Sequence, residues 1–356
     1  MRPISLITTF FLLLAIAKLG LAQTRDATYR IETESRSYVG RPLAVDSSSI
    51  ALLRTNGRIS FIPKTDIKST DKISERFDPL TSTQLRTGLQ KEFGARYEVT
   101  TTRHFVVVHS PGGHQTWAVP FEKLYDQMRH YFGARGISLD TPEFVMVAIV
   151  LNSRDEFDAF LRAYVKYDAN IHGYYSPLSN RIITYRQPDG ELDFFQLSTV
   201  IHEAAHQVAF NTGLHSRVAQ TPRWASEGLA TMFEARGVHS SYRYNGLSER
   251  INQGQLKALA QYSRDGKVRG KLQALISGDE LFEREPLLAY SLAWAVTFYV
   301  CETRPADYSR YMNRLRNRPD FQEYTAKERL KDFQDLFGND LNDFEIRMLQ
   351  YLSGLK

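Results

Sequence analysis

Between Ser198 and Phe210 the chain reads STVIHEAAHQVAF. Two histidines, His202 and His206, stand four residues apart in an otherwise apolar run, with Glu203 directly after the first. On a helix of 3.6 residues per turn, positions i and i+4 project from one face, one turn apart. Both imidazoles can then reach a single Zn²⁺ at roughly 2.0–2.1 Å. Glu203 falls about 100° around the helix, where it meets a water on the metal rather than the metal itself, which is the position of a general base. An apolar helix suits such a set, because metal chemistry needs fixed ligands in a water-poor surround.

A catalytic zinc usually has three protein ligands and a water. The third is sought in TPRWASEGLATMFEARG, where Glu227 lies 21 residues after His206. This segment predicts a second helix, with Thr221 as N-cap, Pro222 in the first helical position and Gly237 closing it. The intervening NTGLHSRVAQ is long enough for the two helices to run antiparallel. Two rivals remain for the third place. His215 sits in that loop and reads as a surface histidine; Glu234, two turns beyond Glu227 on the same face, reads as solvent-facing.

H-E-x-x-H followed by W-x-x-E-G-x-A resembles the gluzincin metallopeptidases, and more narrowly the peptidase MA-like exported families. With HGYYSPLSNRIITY and AYSLAWAVTFYV, the resemblance covers roughly Val99 to Leu352. It implies one zinc per chain on His202, His206 and Glu227, Glu203 as the base, and a peptide or protein substrate. It also implies that NRIITY is an edge strand that pairs with an extended substrate. The metzincin pattern would need glycine and histidine where the chain has Ala209 and Thr212, which excludes that class. Thermolysin-like members often carry an acid at the position of Thr231 to orient a metal-bound histidine, and threonine is a weaker partner there. An attacked carbonyl also needs a donor for its developing charge. Tyr290, ahead of an apolar helix, is the candidate, with Tyr174, Tyr175 and His239 as rivals.

These residues sit in a chain of 356 residues with 9 histidines, a single cysteine and a formal net charge of +5. Residues 1–22 read as an export signal: Arg2, the apolar run ISLITTFFLLLAIA, then small residues at Gly20 and Ala22. That run is shorter than the roughly 20 residues that span a bilayer, so cleavage near Ala22 is expected, leaving no stable membrane insertion. The remaining positive excess is mild and unclustered, which argues against a nucleic-acid surface. Cys301 has no partner for an internal disulfide and reads as a packed thiol. Core burial must therefore stabilise the exported chain, and its length is ample for that.

Strands first and helices afterwards predict an α+β fold. A small all-β module is expected over residues 23–78, with SIALLRT and RISFIP around the hairpin signal Asn56-Gly57 and SYVGRPLAVD before them. It resembles an SH3-like barrel; a β extension packed on the main domain reads equally well, and an envelope partner is its expected ligand. A helical linker is expected over residues 79–98, closed by Gly94. The main domain, residues 99–356, is expected to carry a mixed or antiparallel sheet and then a mostly helical, thermolysin-like zincin lobe. Within it, EFVMVAIVL reads as a strand covered on both faces. Ser153 reads as an N-cap with Glu156 completing a capping box, HQTWAVPFEKLYDQMRHYFG as a helix broken near Pro120, and PLLAYSLAWAVTFYV as a core helix. His104, His109, His114, His130 and His172 read as structural.

The leading expectation is zinc-dependent peptide hydrolysis in the cell envelope or outside the cell. The alternative is a non-catalytic, zinc-stabilised envelope binding or scaffold protein that keeps the fold without turnover.

Overall fold

The computed structural model describes residues 26–163, 171–187, 194–244 and 246–355; the expected signal segment lies outside them. The fold is mixed α+β, with the sheets early in the chain and the helices after them.

Five strands rather than three or four build the first sheet: β1 (Thr28–Thr33), β2 (Ser37–Val45), β3 (Ser49–Arg54), β4 (Ile59–Pro63) and β5 (Ile67–Ser74), antiparallel in the order β4-β3-β2-β1-β5. Asn56-Gly57 turns β3 into β4 as expected. Gly57 has φ +81°, and a Cβ there would come within 3.2 Å of the Phe144 ring, so the turn needs glycine twice over. The sheet packs on the rest of the chain. Leu53, Ile59 and Phe144 bury one another, the Ile59 N–H donates to Leu178 O at 2.7 Å, and Arg217 donates to the carbonyls of Gly57 and Pro177 at 2.5 and 2.8 Å.

Helix α1 (Ser82–Phe93) has the full capping box between Thr81 and Gln84 and stops at Gly94. A second sheet follows, made of β6 (Glu98–Thr101), β7 (Phe105–His109), β8 (Met146–Leu151), β9 (Gly173–Ser176) and β10 (Arg181–Tyr185), in the order β6-β7-β8-β10-β9. It is mixed: β8 runs parallel to both neighbours, while β6 and β9 are antiparallel to theirs. All six residues of β8 are buried, as a strand covered on both faces requires. The segment NRIITY is therefore not an edge strand. β10 is bonded on both sides, and β9, the first arm of its own hairpin, forms the edge.

Helix α2 (Val119–Gly133) takes Pro120 in its first turn, where a missing N–H costs nothing, so the helix runs unbroken from there. Helix α3 (Arg154–Arg162) is capped by Ser153, but the Glu156 carboxylate accepts from the Tyr97 hydroxyl instead of closing the capping box.

The helical half begins with α4 (Phe194–Asn211), α5 (Arg223–Phe233) and the one-turn α6 (Arg236–His239). It continues through α7 (Gln253–Arg264), α8 (Lys271–Ser277), α9 (Leu281–Arg284), α10 (Pro286–Thr303), α11 (Pro305–Arg316), α12 (Ala326–Phe337) and α13 (Leu341–Ser353). Helix α10 is apolar nearly all round and runs through the core, with Leu292, Trp294, Val296 and Phe298 fully buried. Among the described residues no helix is long and apolar enough to cross a membrane. Cys301 is a buried free thiol on this helix, and burial pushes it well above the ordinary thiol range. Where α5 crosses α10, a Cβ on Gly228 would lie 2.3 Å from Ala293 O and Thr297 Oγ1. That glycine lets the two backbones touch, and it fixes the depth of Glu227 beside it.

Candidate metal centre

Helix α4 carries the HExxH residues because its apolar side chains, Val200, Ile201, Ala204, Ala205 and Val208, are absorbed into the main core. His202 and His206 are left on the side that meets Glu227. Its roll about its own axis is set by Gln207, which is fully buried and donates to Val147 O of β8 at 3.1 Å and to Asn180 O at 2.8 Å. Asn180 (φ +55°) and Asn211 exchange amide hydrogen bonds at 2.7 and 2.8 Å. The Tyr175 hydroxyl donates to Asn180 Oδ1 at 3.0 Å. This polar network rivets the β9–β10 hairpin to α4.

Its consequence is felt at Glu203. The Tyr175 N–H, on the outer side of the edge strand β9, donates to Glu203 Oε2 at 2.7 Å. Gly173, two residues earlier, has no room for a side chain: a Cβ would stand 2.7 Å from Glu203 Cγ. Burial pushes the Glu203 carboxyl up, while His202, His206 and the Tyr175 N–H oppose that rise. A carboxyl raised in this way is suited to carry a proton in transit.

Helix α5 brings in the third group. Glu227 Oε2 lies 3.3 Å from His202 Nε2 and 3.6 Å from His206 Nε2, and the two Nε2 atoms are 3.2 Å apart. An ion with four tetrahedral bonds of ~2.0–2.1 Å needs ligand atoms about 3.4 Å from one another, so the triangle fits. His202, His206 and Glu227 could hold a metal ion. Burial opposes charge on Glu227, yet the imidazoles hold its carboxyl well below the ordinary carboxylate range. Glu227 and Glu234 in turn hold His202 well above the ordinary imidazole value.

Glu234 departs from expectation. It neither faces solvent nor joins the triangle. The chain leaves the helix at Phe233, and from the C-cap position the Glu234 side chain turns back to accept from His202 Nδ1 at 2.8 Å. Its other oxygen accepts from Asn252 Nδ2 at 3.0 Å. The Thr231 hydroxyl, expected to help here, is buried without a hydrogen-bond partner among the described residues. Thr221 does not cap α5 either: the N-cap is Pro222 and the Thr221 hydroxyl is likewise unpartnered. Gly237 falls inside α6 rather than closing the helix.

The other rivals separate cleanly. His215 is buried rather than on the surface. Its ring is tilted against Phe210 at 5.1 Å, neither ring nitrogen has a partner among the described residues, and burial pushes it down to about 3. It is not in the triangle. The Tyr175 hydroxyl is committed to Asn180. Burial and the Glu203 charge push the Tyr174 phenol up. His239 meets Ser240 Oγ at 3.0 Å. Tyr290 lies within α10, not ahead of it. Burial and then the charges of Glu227 and Glu203 push its phenol up, with the neighbouring Arg223 opposing. Of the histidines read as structural, His109 is fully buried between Thr100 Oγ1 and Ser110 O, each at 2.7 Å. A cavity of about 450 Å³ walled by Ser198, Glu234, Asn252 and Gly254 opens beside the centre.

Sequence reasoning missed Gln207, Asn180, Asn211, Asn252 and Arg223. Only Arg223 carried a signal, one turn ahead of the third ligand.

A family model described as a protein of unknown function, DUF1570, matches residues 196–322. That stretch takes in the three candidate ligands, Glu203 and Tyr290. No curated protein matches the chain.

Proposed function

We propose that the chain is a zinc metallopeptidase of the gluzincin type, acting in the cell envelope or outside the cell. The observation that carries this reading is the His202–His206–Glu227 triangle with Glu203 pinned beside it by a backbone N–H. Two imidazoles and one carboxylate in a compact set favour Zn²⁺ over harder cations. A site that served only to hold the fold would have no use for a buried, raised carboxylate next to its ligands.

When bound there, zinc supplies Lewis-acid polarisation of the scissile carbonyl and acidifies water. The chain's own residues do the rest. His202 and His206 present Nε2 from one helical face, and Glu234 fixes the orientation of the first ring through Nδ1. Glu203 accepts the proton of the attacking water and returns it to the leaving amine, with the Tyr175 N–H holding the carboxylate in place throughout. The Tyr290 hydroxyl donates to the oxygen on which charge develops. An extended peptide would add to the edge strand β9 through the backbone groups that Glu203 does not occupy.

Elemental mass spectrometry on the purified mature chain, beside a Glu227→Ala variant, tests the centre. One zinc per chain, lost in the variant, is expected. A peptide-library cleavage screen with Glu203→Gln as control then tests turnover. Zinc in both chains would break the assignment of Glu227. Stoichiometric zinc in a chain that cleaves nothing would leave a scaffold with a peptidase-like fold.

A further inference from the structure

Arg223 stands one turn ahead of Glu227, and the chemistry above does not use it. Its backbone N–H donates to Asp279 Oδ1 at 3.2 Å, and its guanidinium carbon lies 4.7 Å from the centroid of the Phe282 ring. Phe282 meets the Tyr290 ring edge-on at 5.3 Å. The side chain is thus held at its root and its head, yet it remains 39 % exposed where Glu227 is 16 % exposed. Its nearest acid is Glu227, whose Oε1 is 4.0 Å from Nε, beyond hydrogen-bond length. The other oxygen of that carboxylate is the one turned to the imidazoles. Asp279 gives its carboxylate to the Arg329 guanidinium. The Arg223 side chain adjoins the Tyr290 phenol and, among the described residues, has no carboxylate within hydrogen-bond length.

A guanidinium offers five donors in a planar fork that matches a carboxylate. We propose that Arg223, seated on Phe282 beside Tyr290, selects substrate by binding a peptide carboxylate close to the bond that is cut. The proposal rests on the peptidase reading above. The carboxylate has two chemical sources, a free C-terminus or an acidic side chain. A guanidinium that served only to steady Glu227 would sit closer to it and would not discriminate among peptides.

The test is equilibrium binding to the zinc-loaded Glu203→Gln chain, which holds peptide without cutting it. Three probes suffice: N-acetyl-Ala-Phe-Ala-Ala as the free acid, the same peptide as its C-terminal amide, and the amide with Asp in place of the third residue. At least one acidic probe is expected to bind about tenfold tighter than the plain amide, and which one identifies the source. Arg223→Met should abolish that preference while metal content stays at one per chain, and Arg223→Lys should restore part of it. Equal binding of all three probes, a preference that survives Arg223→Met, or a loss of metal with no change in preference would each overturn the role of Arg223 and leave the peptidase reading standing. Failure of every probe to bind would overturn both together.

Discussion

The His202 Nδ1–H donates to Glu234 Oε1 across 2.8 Å, and Asn252 holds the other oxygen of that carboxylate at 3.0 Å. An ionised carboxylate can only accept, so the contact fixes which nitrogen of His202 carries the proton. It leaves Nε2 free to face Glu227 and His206. The ring is held from behind by an acid that is itself held, the arrangement that raises ligand basicity and stops the imidazole from turning.

Removing that support should weaken metal binding without removing a ligand. Glu234→Ala is expected to lower zinc affinity about 10–100-fold, and Glu234→Gln by less, since its amide oxygen can still accept from Nδ1. Competition with a chromogenic chelator measures both. Affinity unchanged in the alanine variant would mean that His202 is oriented by packing alone.

The difference between reading Glu234 in the sequence and finding it in the fold lies in one helix end. Counting seven residues from Glu227 places Glu234 on the same face of an ideal helix, which is why it read as a continuation of that face towards solvent. The helix stops at Phe233, and the turn into α6 sends the side chain back into the site. Sequence periodicity assumes that an element continues; it carries no information about where a cap side chain goes once it stops. His202, Glu203 and His206 were legible because fixed spacings within one helix bring their atoms close whatever the rest does, whereas Glu227 lies on a second helix and was legible from its motif, its atoms being brought in only by the packing of α5 on α4. β8 was legible for a similar reason, since six consecutive apolar residues suit one environment only.

The network of Gln207, Asn180 and Asn211 had no such signal. Its members are separated by 27 and 31 positions, and each is an ordinary amide until the fold brings them together. The same holds for the edge strand. β9 and β10 are both short, and only the parallel pairing of β10 with β8, made across the chain, decides which one is left outside.

Gly173 offers a test of how closely that edge must approach the helix. A Cβ there would press on Glu203 Cγ at 2.7 Å and on Thr199 Cγ2 at 2.9 Å, while none of the three ligand side chains is among its nearest contacts. Gly173→Ala should therefore keep its metal, lose about 1–3 kcal/mol of stability by overpacking, and cut the hydrolysis rate about a hundredfold through a displaced base. Metal content, urea unfolding and single-turnover rate separate the three effects. Wild-type stability together with a wild-type rate would show that the strand moves aside freely.

Acid sensitivity should trace to a group away from the metal. Glu302 accepts from Arg135 at 2.6 Å and from Arg250 at 2.7 Å, with the Tyr131 hydroxyl at 3.2 Å. It ties α2 and α10 to the segment that ends in Asn252, the residue holding Glu234. Burial opposes the charge on Glu302, but the two guanidiniums outweigh it and hold the carboxyl below its ordinary value. A group depressed in the folded state adds stability above its unfolded pKa, about 4.3, and loses it as the pH falls through the folded value. Glu302→Gln should thus cost about 1.5–3 kcal/mol at pH 7, and the gap to wild type should narrow as the pH drops below about 4. Urea midpoints at pH 7 and near pH 3.5 read this directly. The comparison belongs in chelator, where both chains are metal-free and any pH-dependent loss of metal drops out. A gap that stays constant with pH would assign the loss to packing around Glu302 rather than to its charge.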